Sequence, residues 1–370
     1  MANYTENADS IIVKESNIIV NAGKGDDRIT VKKGSNNTIN AEAGNDIIAI
    51  KKTIGTANTI NGDNGTDYIG ITGGKKNHIN GGYGIDKIAI TGGTSNFIHG
   101  DGGEDRIEIL GGNKNRIYGD AAVDTIKIKG GKDNNIYGGA AADKITVSGG
   151  IDNDIYGEAA ADVIKVTGGT DNDIYGGDSG DKITVSGGND NDICGQNGVD
   201  VIVIKGGTDN DISGGASSDK ITVSGGNDND IHGNTGKDKF TISGGTKNEI
   251  YGDSGSDTFK IKGGKNNKIY GGSSTDKFEV SGGSNIIYGG GSKDQFIFNS
   301  GAKGLTTIRD YVKGEIIKFN SGVDYAGSYS TEGNDITLNL TNNGTIKIIG
   351  GSGKTVTFEN SAGKKDSHTF

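Results

Sequence analysis

Hydrophobic and polar residues alternate in short runs that return at a fixed interval along this chain. The run DKITV, from Asp181 to Val185, has its two aliphatic residues at every second position, which is the period of a β-strand. A shorter run of the same period, NDIY, begins at Asn172. Each run recurs every nineteen residues over most of the chain. A fixed period of this length predicts a solenoid, in which each repeat forms one coil.

The two runs of a coil predict two short parallel strands that face each other across a thin core. The longer run contributes Ile and Val, with Phe from Phe240 onward. The shorter run contributes a column of isoleucines, at Ile79, Ile98, Ile117, Ile136 and Ile155 and onward. The predicted fold is therefore all-β, a parallel β-roll or β-helix solenoid of about fifteen coils. Because so narrow a core buries little apolar area per residue, the hydrophobic contribution to stability is small.

One polar column of the repeat is an aspartate that precedes the longer strand. The column tolerates a two-residue insertion near Lys51 to Gly55 and a one-residue deletion before its last member. Its members are Asp27, Asp46, Asp67, Asp86, Asp105, Asp124, Asp143, Asp162, Asp181, Asp200, Asp219, Asp238, Asp257, Asp276 and Asp294.

Stacking these coils would bring the aspartates into a file of like charges. Neighbouring coils lie about 4.8 Å apart, and at an effective dielectric constant of about 20 two such charges repel by roughly 3 kcal/mol. Lys and Arg are absent from the column, so the counter-charge is expected to be a metal ion. Oxygen ligands without clustered His or Cys favour Ca2+.

The turns around the aspartates resemble a known calcium-binding repeat. The segment GGYGIDKIA, residues 81–89, fits the pattern G-G-x-G-x-D-x-U-x of RTX proteins, and AGKGDDRIT (22–30), GDGGEDRIE (100–108), GGDSGDKIT (176–184) and GDSGSDTFK (252–260) resemble it closely. The resemblance covers roughly four-fifths of the chain. It implies a calcium β-roll in which turn carboxylates and backbone carbonyls bind ions between neighbouring coils. The chain is accordingly expected to be a calcium-dependent, hemolysin-type repeat protein.

The fourth position of the motif separates two groups of turns. It is glycine at Gly25, Gly44, Gly65, Gly84, Gly103, Gly198, Gly236 and Gly255, but Ala122, Ala141, Ala160, Ser179, Ser217, Ser274 and Ser292 replace it elsewhere. Since glycine supplies backbone freedom in a tight turn, the substituted turns are expected to bind calcium weakly or not at all. The alternative is that each Asp only caps its turn.

The other half of each coil has asparagine where the family carries a second aspartate. The column comprises Asn77, Asn96, Asn115, Asn134, Asn153, Asn172, Asn191, Asn210, Asn229, Asn248 and Asn267. Stacked amides can hydrogen-bond to one another without an ion, so one row of Ca2+ is expected rather than the family's two. A different register would instead make Asp154, Asp173, Asp192, Asp211 and Asp230 ligands of a second row.

The end of the chain predicts a separate module. The repeat is expected to stop near Gln295, which divides the chain into a solenoid, 1–294, and a β-rich C-terminal module, 295–370. TIRDY (307–311) and GNDITL (333–338) resemble the module that closes many RTX arrays. That resemblance implies a cap for the open sheet edge and an uncleaved export signal within KKDSHTF. At the other end, Tyr4 to Val20 is expected to form a degenerate first coil with Asp9 in the aspartate column.

Composition and charge narrow the setting. Glycine accounts for 69 of 370 residues, and the formal net charge is -10, which disfavours nucleic acid and anionic membranes as partners. The single Cys194 excludes an internal disulfide. No segment has the length of a transmembrane helix, and MANYTENADS lacks the features of a cleaved signal. Extracellular calcium modules bind at about 10⁻⁴–10⁻³ M, and the resemblance implies secretion through a type I apparatus.

Three functions are consistent with the sequence. The first is a secreted structural calcium-binding protein, not an enzyme, whose external ligand, for example a surface glycan, is left open. The second is an ice-binding or adhesin-type RTX solenoid with a Thr-x-Asn row, although its Thr position reads Lys75, Thr94, Asn113, Lys132, Ile151, Thr170, Asn189, Thr208, Asn227, Thr246 and Lys265. The third is a polysaccharide lyase or epimerase. No catalytic constellation supports it, and His78, His99, His232 and His368 follow no metal-ligand spacing.

Overall fold

The computed structural model describes residues 2–3, 6–51 and 56–370. The chain divides into two compact units, one formed by the residues up to Lys182 together with Gly188–Asp192, the other by Ile183–Gly187 together with Ile193–Phe370. The fold is an all-β parallel solenoid of about 16 turns with a spacing of about 19 residues. The described ranges contain no helix, and hence none that could cross a membrane. The predicted fold class is confirmed.

Each unit contains two sheets in which the strands of the coils pair in parallel, and the strands are numbered in chain order. Sheet A holds the strands that follow the asparagine column, and sheet B holds those that follow the aspartate column. In the first unit, sheet A comprises β1 (Ala2–Asn3), β3 (Ile19–Asn21), β5 (Thr38–Asn40), β7 (Thr59–Asn64), β9 (His78–Tyr83), β11 (Phe97–Gly102), β13 (Arg116–Asp120), β15 (Asn135–Gly139), β17 (Asp154–Glu158) and β19 (Asp173–Gly177). Sheet B comprises β2 (Ser10–Val13), β4 (Arg28–Val31), β6 (Ile47–Ile50), β8 (Tyr68–Ile71), β10 (Lys87–Ile90), β12 (Arg106–Ile109), β14 (Thr125–Ile128), β16 (Lys144–Val147) and β18 (Val163–Val166).

The second unit repeats this arrangement. Strands β20 (Lys182–Val185) and β21 (Asp192–Asn197) contain residues of both units. Sheet A then comprises β23 (Asp211–Ala216), β25 (Asp230–Thr235), β27 (Glu249–Tyr251), β29 (Lys265–Gly272), β31 (Ser284–Gly290), β33 (Gly304–Ile308), β35 (Tyr325–Glu332), β36 (Asp335–Leu340) and β37 (Gly344–Ile348). Sheet B comprises β22 (Val201–Ile204), β24 (Lys220–Val223), β26 (Lys239–Ile242), β28 (Thr258–Ile261), β30 (Lys277–Val280), β32 (Gln295–Phe298), β34 (Ile316–Phe319), β38 (Thr355–Glu359) and β39 (Lys365–Thr369).

Strand pairing aligns equivalent residues of successive coils. In β10, Lys87 and Ile88 lie opposite Arg106 and Ile107 of β12, and the remaining pairs follow without a shift. In the second unit β24 and β26 pair in the same way. Because the register equals the sequence repeat, every column of the sequence becomes a straight file of side chains.

The inward files form the narrow core that the alternating pattern predicts. Strand β10 shows the burial pattern of its class, with Ile88 and Ile90 fully buried. From Phe240 the core of the second unit contains stacked phenylalanines, with ring centroids of Phe240 and Phe259 separated by 4.7 Å. The four-residue strands of sheet B from β2 to β30 therefore alternate between buried and more exposed positions.

The C-terminal segment continues the parallel pairing before it turns antiparallel. Strand β32 pairs in parallel with β30 and β34, and β34 pairs in parallel with β38. Strands β35 and β36 form an antiparallel hairpin, β36 pairs with β37, and β39 runs antiparallel to β38. Coil-like strands thus persist beyond Gln295, where the repeat was expected to stop, and the boundary at 294/295 stays a prediction.

Candidate metal-binding files

The predicted aspartates form one buried file in each unit, which we call the aspartate file. The first unit contains Asp27, Asp46, Asp67, Asp86, Asp105, Asp124, Asp143, Asp162 and Asp181, and the second contains Asp200, Asp219, Asp238, Asp257, Asp276 and Asp294. All of these side chains are at most 1% exposed. Each lies directly before a strand of sheet B, so the rigid sheet sets the spacing of the file.

In fourteen members of the two files, Oδ1 accepts a hydrogen bond from the backbone of the neighbouring coil. The backbone N–H of Asp86 donates to Oδ1 of Asp105 at 2.7 Å, and the other recorded steps of the two files measure 2.6–2.8 Å. At the start of the first unit, Asp9 N–H donates to Asp27 Oδ1 at 2.7 Å, which puts Asp9 at the head of the file as predicted. The file is thus built into the backbone of the coils.

The second carboxylate oxygen has no such partner. Oδ2 is buried without a hydrogen bond in Asp27, Asp46, Asp67, Asp86, Asp105, Asp124, Asp143, Asp162, Asp219, Asp238, Asp257, Asp276 and Asp294. A buried anionic oxygen without a donor is strongly unfavourable, and here the condition recurs coil after coil. The arrangement therefore requires a positive ligand or a proton.

The glycine-rich turn brings backbone oxygen close to the unpartnered Oδ2. A β-carbon added at Gly81 would lie 2.6 Å from Asp86 Oδ2 and 2.7 Å from the carbonyl oxygen of Gly100. A side chain at this position would therefore displace the carboxylate. Carboxylate and carbonyl oxygens together form the donor set that Ca2+ prefers, so these residues fit a calcium ion.

Burial shifts the acidity of the file. Burial raises the pKa to about 6 at Asp46, Asp143, Asp257 and Asp294, to about 7 at Asp67, Asp105, Asp162, Asp219, Asp238 and Asp276, and to about 8 at Asp124. The backbone N–H bond to Oδ1 opposes this increase in pKa, and charges of neighbouring file members add to it. When no cation is bound, these carboxyl groups therefore hold their protons to a higher pH than an ordinary aspartate does.

The two groups of turns distinguished in the sequence differ in backbone conformation. Gly84 has φ +137°, and a β-carbon there would lie 1.7 Å from the carbonyl oxygen of Gly65. Ala122 and Ala160 instead adopt φ +76° and +71°. The substituted turns therefore follow a different path past the aspartate. Whether they bind calcium more weakly stays a prediction.

The asparagines on the opposite side of each coil form a second buried file, the asparagine file. Oδ1 of Asn96 accepts the Asn77 backbone N–H at 3.0 Å and Asn77 Nδ2 at 2.9 Å. The recorded Nδ2–Oδ1 steps measure 2.8–3.3 Å. Nδ2 also reaches a turn carbonyl at several coils, as in Asn134 to Gly112 O at 3.3 Å. Among the described residues, no side-chain atom of this file is buried without a partner.

The residues of the alternative register occupy the next position along the chain. Asp154, Asp173 and Asp230 are half-buried, and Asp192 and Asp211 are exposed, whereas the asparagines that precede them are buried. The inward position of this half of the coil is therefore occupied by an amide, and the single row of Ca2+ stays a prediction.

Sequence reasoning missed one member of the aspartate file. Glu315 is fully buried directly before β34, and a β-carbon at Gly289 would lie 2.5 Å from Asp294 Oδ2 and 3.1 Å from Glu315 Oε1. Burial raises the pKa of Glu315 to about 8, and Oε1 has no hydrogen-bond partner. The signal was the acid followed by the alternating run IIKF, but the interval from Asp294 is not nineteen residues.

The structure also groups residues that the sequence analysis left apart. His99 lies beside Asp101 and Asp120, although the spacing of the histidines had indicated no metal site. The contact arises from the stacking of coils, which brings Asp120 next to a residue of the preceding coil.

Comparison with known proteins gives a distant structural likeness. No protein-family model and no curated protein matches the chain. The chain is similar to the crystal structure of a hyperactive, Ca2+-dependent, β-helical antifreeze protein from an Antarctic bacterium, with a TM-score of 0.47 and 16% identity over 81% of this chain and 86% of that one. The likeness is too distant to bear on ligands or function.

Proposed function

We propose that this protein is an extracellular calcium-binding β-solenoid with a structural, non-catalytic function. The observation that supports the proposal is the buried Oδ2 without a hydrogen bond in the thirteen aspartates named above, which recurs in both units. A cation bound along each file would give these oxygens a partner and cancel the repulsion between successive carboxylates.

The donor set selects the kind of cation. The turn offers carboxylate oxygen and backbone carbonyl oxygen, as at Asp86 and Gly100, with no thiolate or imidazole in the file. Such all-oxygen surroundings suit Ca2+, whose coordination is flexible, better than Mg2+, which requires near-ideal octahedral geometry. In the proposed function, the aspartates from Asp27 to Asp181 and from Asp200 to Asp294, with Glu315 after the last, provide the charge that holds one row of ions along the file of each unit.

Calcium binding would then make folding depend on whether the chain is inside or outside the cell. Ligand binding to the folded state alone adds to its stability, and the thin core leaves a large part of that stability to the metal. Extracellular calcium modules bind at about 10⁻⁴–10⁻³ M, so the chain would stay unfolded inside a cell and fold outside it. Export by a type I apparatus belongs to this proposal and is tested by following the full-length chain into the culture medium.

The ice-binding alternative receives less support from the geometry. Residues at its Thr position do form in-register bridges, as between Thr94 and Asn113. The asparagines of the Thr-x-Asn pattern, for example Asn172, are fully buried. A row of paired Thr and Asn side chains is therefore not presented to solvent.

A calcium titration of the metal-free protein, followed by far-ultraviolet circular dichroism, tests the proposal. We expect a cooperative gain of β-structure as Ca2+ reaches roughly 0.1–1 mM, and a much smaller gain with Mg2+. Full β-structure in excess chelator at pH 8 would refute it. The variant Asp154→Asn serves as a control, because it changes an outward carboxylate next to the asparagine file. Its calcium midpoint should equal that of the parent protein.

A further inference from the structure

A histidine and two aspartates converge on the outer face of sheet A in the first unit. His99 and Asp101 belong to β11, and Asp120 ends the neighbouring strand β13. His99 Nδ1 lies 2.9 Å from Asp120 Oδ2, and one ligand atom from each of the three residues lies within 4.8 Å of the others. Imidazole nitrogen and carboxylate oxygens thus meet at one point.

Each of these side chains is held in place by its surroundings. The His99 ring is stacked on Tyr118, with centroids 4.6 Å apart and planes 4° from parallel. Asp101 donates its backbone N–H to Asp120 Oδ2 at 3.2 Å. Both aspartates have left-handed backbones, with φ +67° at Asp101 and +73° at Asp120. The side chains of His99 and Asp120 remain 26% and 31% exposed, so an ion can reach them from solvent.

We propose that His99, Asp101 and Asp120 form a site for one divalent first-row transition ion such as Zn2+, separate from the calcium file. Zn2+ accepts His nitrogen together with carboxylate oxygen, and three protein ligands leave a position for water. Ca2+ takes oxygen ligands, so the imidazole selects against it. The two carboxylates balance the charge of the ion.

The second unit contains a counterpart that lacks one ligand. His232 Nδ1 lies 2.9 Å from Asp253 Oδ2, as in the first unit, but Asn234 stands where Asp101 would be. On the other ring nitrogen, Nε2, His232 faces Asp230 Oδ1 at 3.8 Å. Carboxylates beside both nitrogens stabilise the imidazolium, which has no free lone pair for a metal. The counterpart is therefore expected to remain an ion pair.

The residue two positions before the histidine differs between the two units. Phe97 occupies the position that Asp230 holds in the second unit, and its ring centroid lies 6.2 Å from that of His99. Because Phe97 carries no carboxylate, the carboxylates grouped with the His99 ring are those of Asp101 and Asp120. Asp63 lines the same groove as Asp101 and Asp120, which adds to the negative potential that attracts a cation.

Zinc titration of the full-length, calcium-saturated protein tests this site. Ca2+ at about 10 mM keeps the calcium file occupied, since it exceeds the ~10⁻⁴–10⁻³ M at which extracellular modules bind. Isothermal calorimetry and equilibrium dialysis with Zn2+ should show one ion bound per chain. Replacing Zn2+ with Co2+ should give a visible absorption spectrum characteristic of nitrogen and oxygen ligation.

Three variants separate metal binding from a simple hydrogen bond. Asp101→Asn, which reproduces the ligand set of the second unit, should weaken Zn2+ binding by at least about tenfold, and His99→Gln should abolish it. His232→Gln should leave binding unchanged. Circular dichroism in Ca2+ checks that each variant is folded. Absence of zinc binding by the parent protein, or binding that survives both Asp101→Asn and His99→Gln, would overturn the proposal.

Discussion

The aspartate file and the asparagine file follow the same coils, with the same repeat and the same burial, yet they place opposite demands on their surroundings. In both, Oδ1 accepts a backbone N–H from the neighbouring coil, at 2.7 Å for Asp105 and 3.0 Å for Asn96. The difference is the second atom of the side chain. Nδ2 of Asn77 donates to the next amide and continues the ladder, whereas Oδ2 of Asp105 has no donor.

One half of each coil therefore satisfies its buried polar side chains within the protein, and the other half needs a ligand to do so. An unsatisfied buried polar group costs about 1–3 kcal/mol, and more when it is charged. Repeated along a file, such costs exceed the net stability of a typical domain, about 5–15 kcal/mol. The asparagine side therefore needs no metal to satisfy its polar groups, and the aspartate side is expected to decide when the solenoid folds.

The largest expected contrast between the files is their response to pH. Eleven aspartates of the files have pKa values raised to about 6–8, above the ordinary value of 3.8, so the folded, metal-free state binds more protons than the unfolded state. Stability from this source is full below pH 3.8 and is lost as pH rises through 6–8. Metal-free protein should therefore contain more β-structure near pH 5 than near pH 8.

Calcium titrations at different pH values extend this contrast between the two files. Protons compete with Ca2+ for the carboxylates, so the calcium midpoint should rise as pH falls through the same range. The amides of the asparagine file do not titrate. Equal circular dichroism at both pH values in metal-free buffer would contradict the account.

An aspartate placed in the asparagine file should be the most damaging single substitution. Asn153 is fully buried and donates Nδ2 to Asn172 Oδ1 at 2.9 Å. Asn153→Asp removes that donor and buries a charge, and should lower the free energy of unfolding in saturating Ca2+ by about 3–5 kcal/mol. Chemical denaturation measures the change. Asp154→Asn at the adjacent outward position is the control, and a loss of equal size there would argue against the explanation.

The reverse exchange should have a smaller and more local effect. In the parent protein, Asp86 Oδ1 accepts the Asp67 backbone N–H at 2.7 Å. Asp86→Asn keeps an oxygen that can accept this hydrogen bond, but it removes a negatively charged ligand. If each ion is shared by neighbouring coils, the variant should lose about two ions and show a higher calcium midpoint.

Glu104→Gln, at an exposed position beside the file, is the matched control for this exchange. Equilibrium dialysis with a calcium isotope measures the number of ions. An unchanged number in Asp86→Asn would mean that Asp86 is not a ligand.

The smallest expected effect concerns the turns. Ala160 adopts φ +71°, where a side chain costs roughly 1 kcal/mol relative to glycine. Ala160→Gly should relieve this strain and allow the turn geometry of Gly84. We expect a small rise in thermal stability that is larger in Ca2+ than in chelator. A stability gain of the same size in both conditions would limit the effect to the backbone and remove the link to binding.

The sequence predicted the periodic features and missed those that break the period. The columns that contain Asp86 and Asn77 form aligned files, as predicted, because the strand register equals the repeat. Glu315 was missed because the loop before it changes the interval. His99 and Asp120 were not connected because their contact depends on coil stacking and on a left-handed backbone at Asp120. Such contacts leave no fixed spacing in the sequence.

The most direct test of the central claim is an anomalous-scattering map from crystals grown in calcium. We expect a row of calcium peaks beside the aspartate file of each unit, with weaker peaks near Ala122, Ala141 and Ala160. We expect no peaks along the asparagine file. Ions of equal strength beside Asn77 to Asn267, or an aspartate file without ions in saturating calcium, would contradict it.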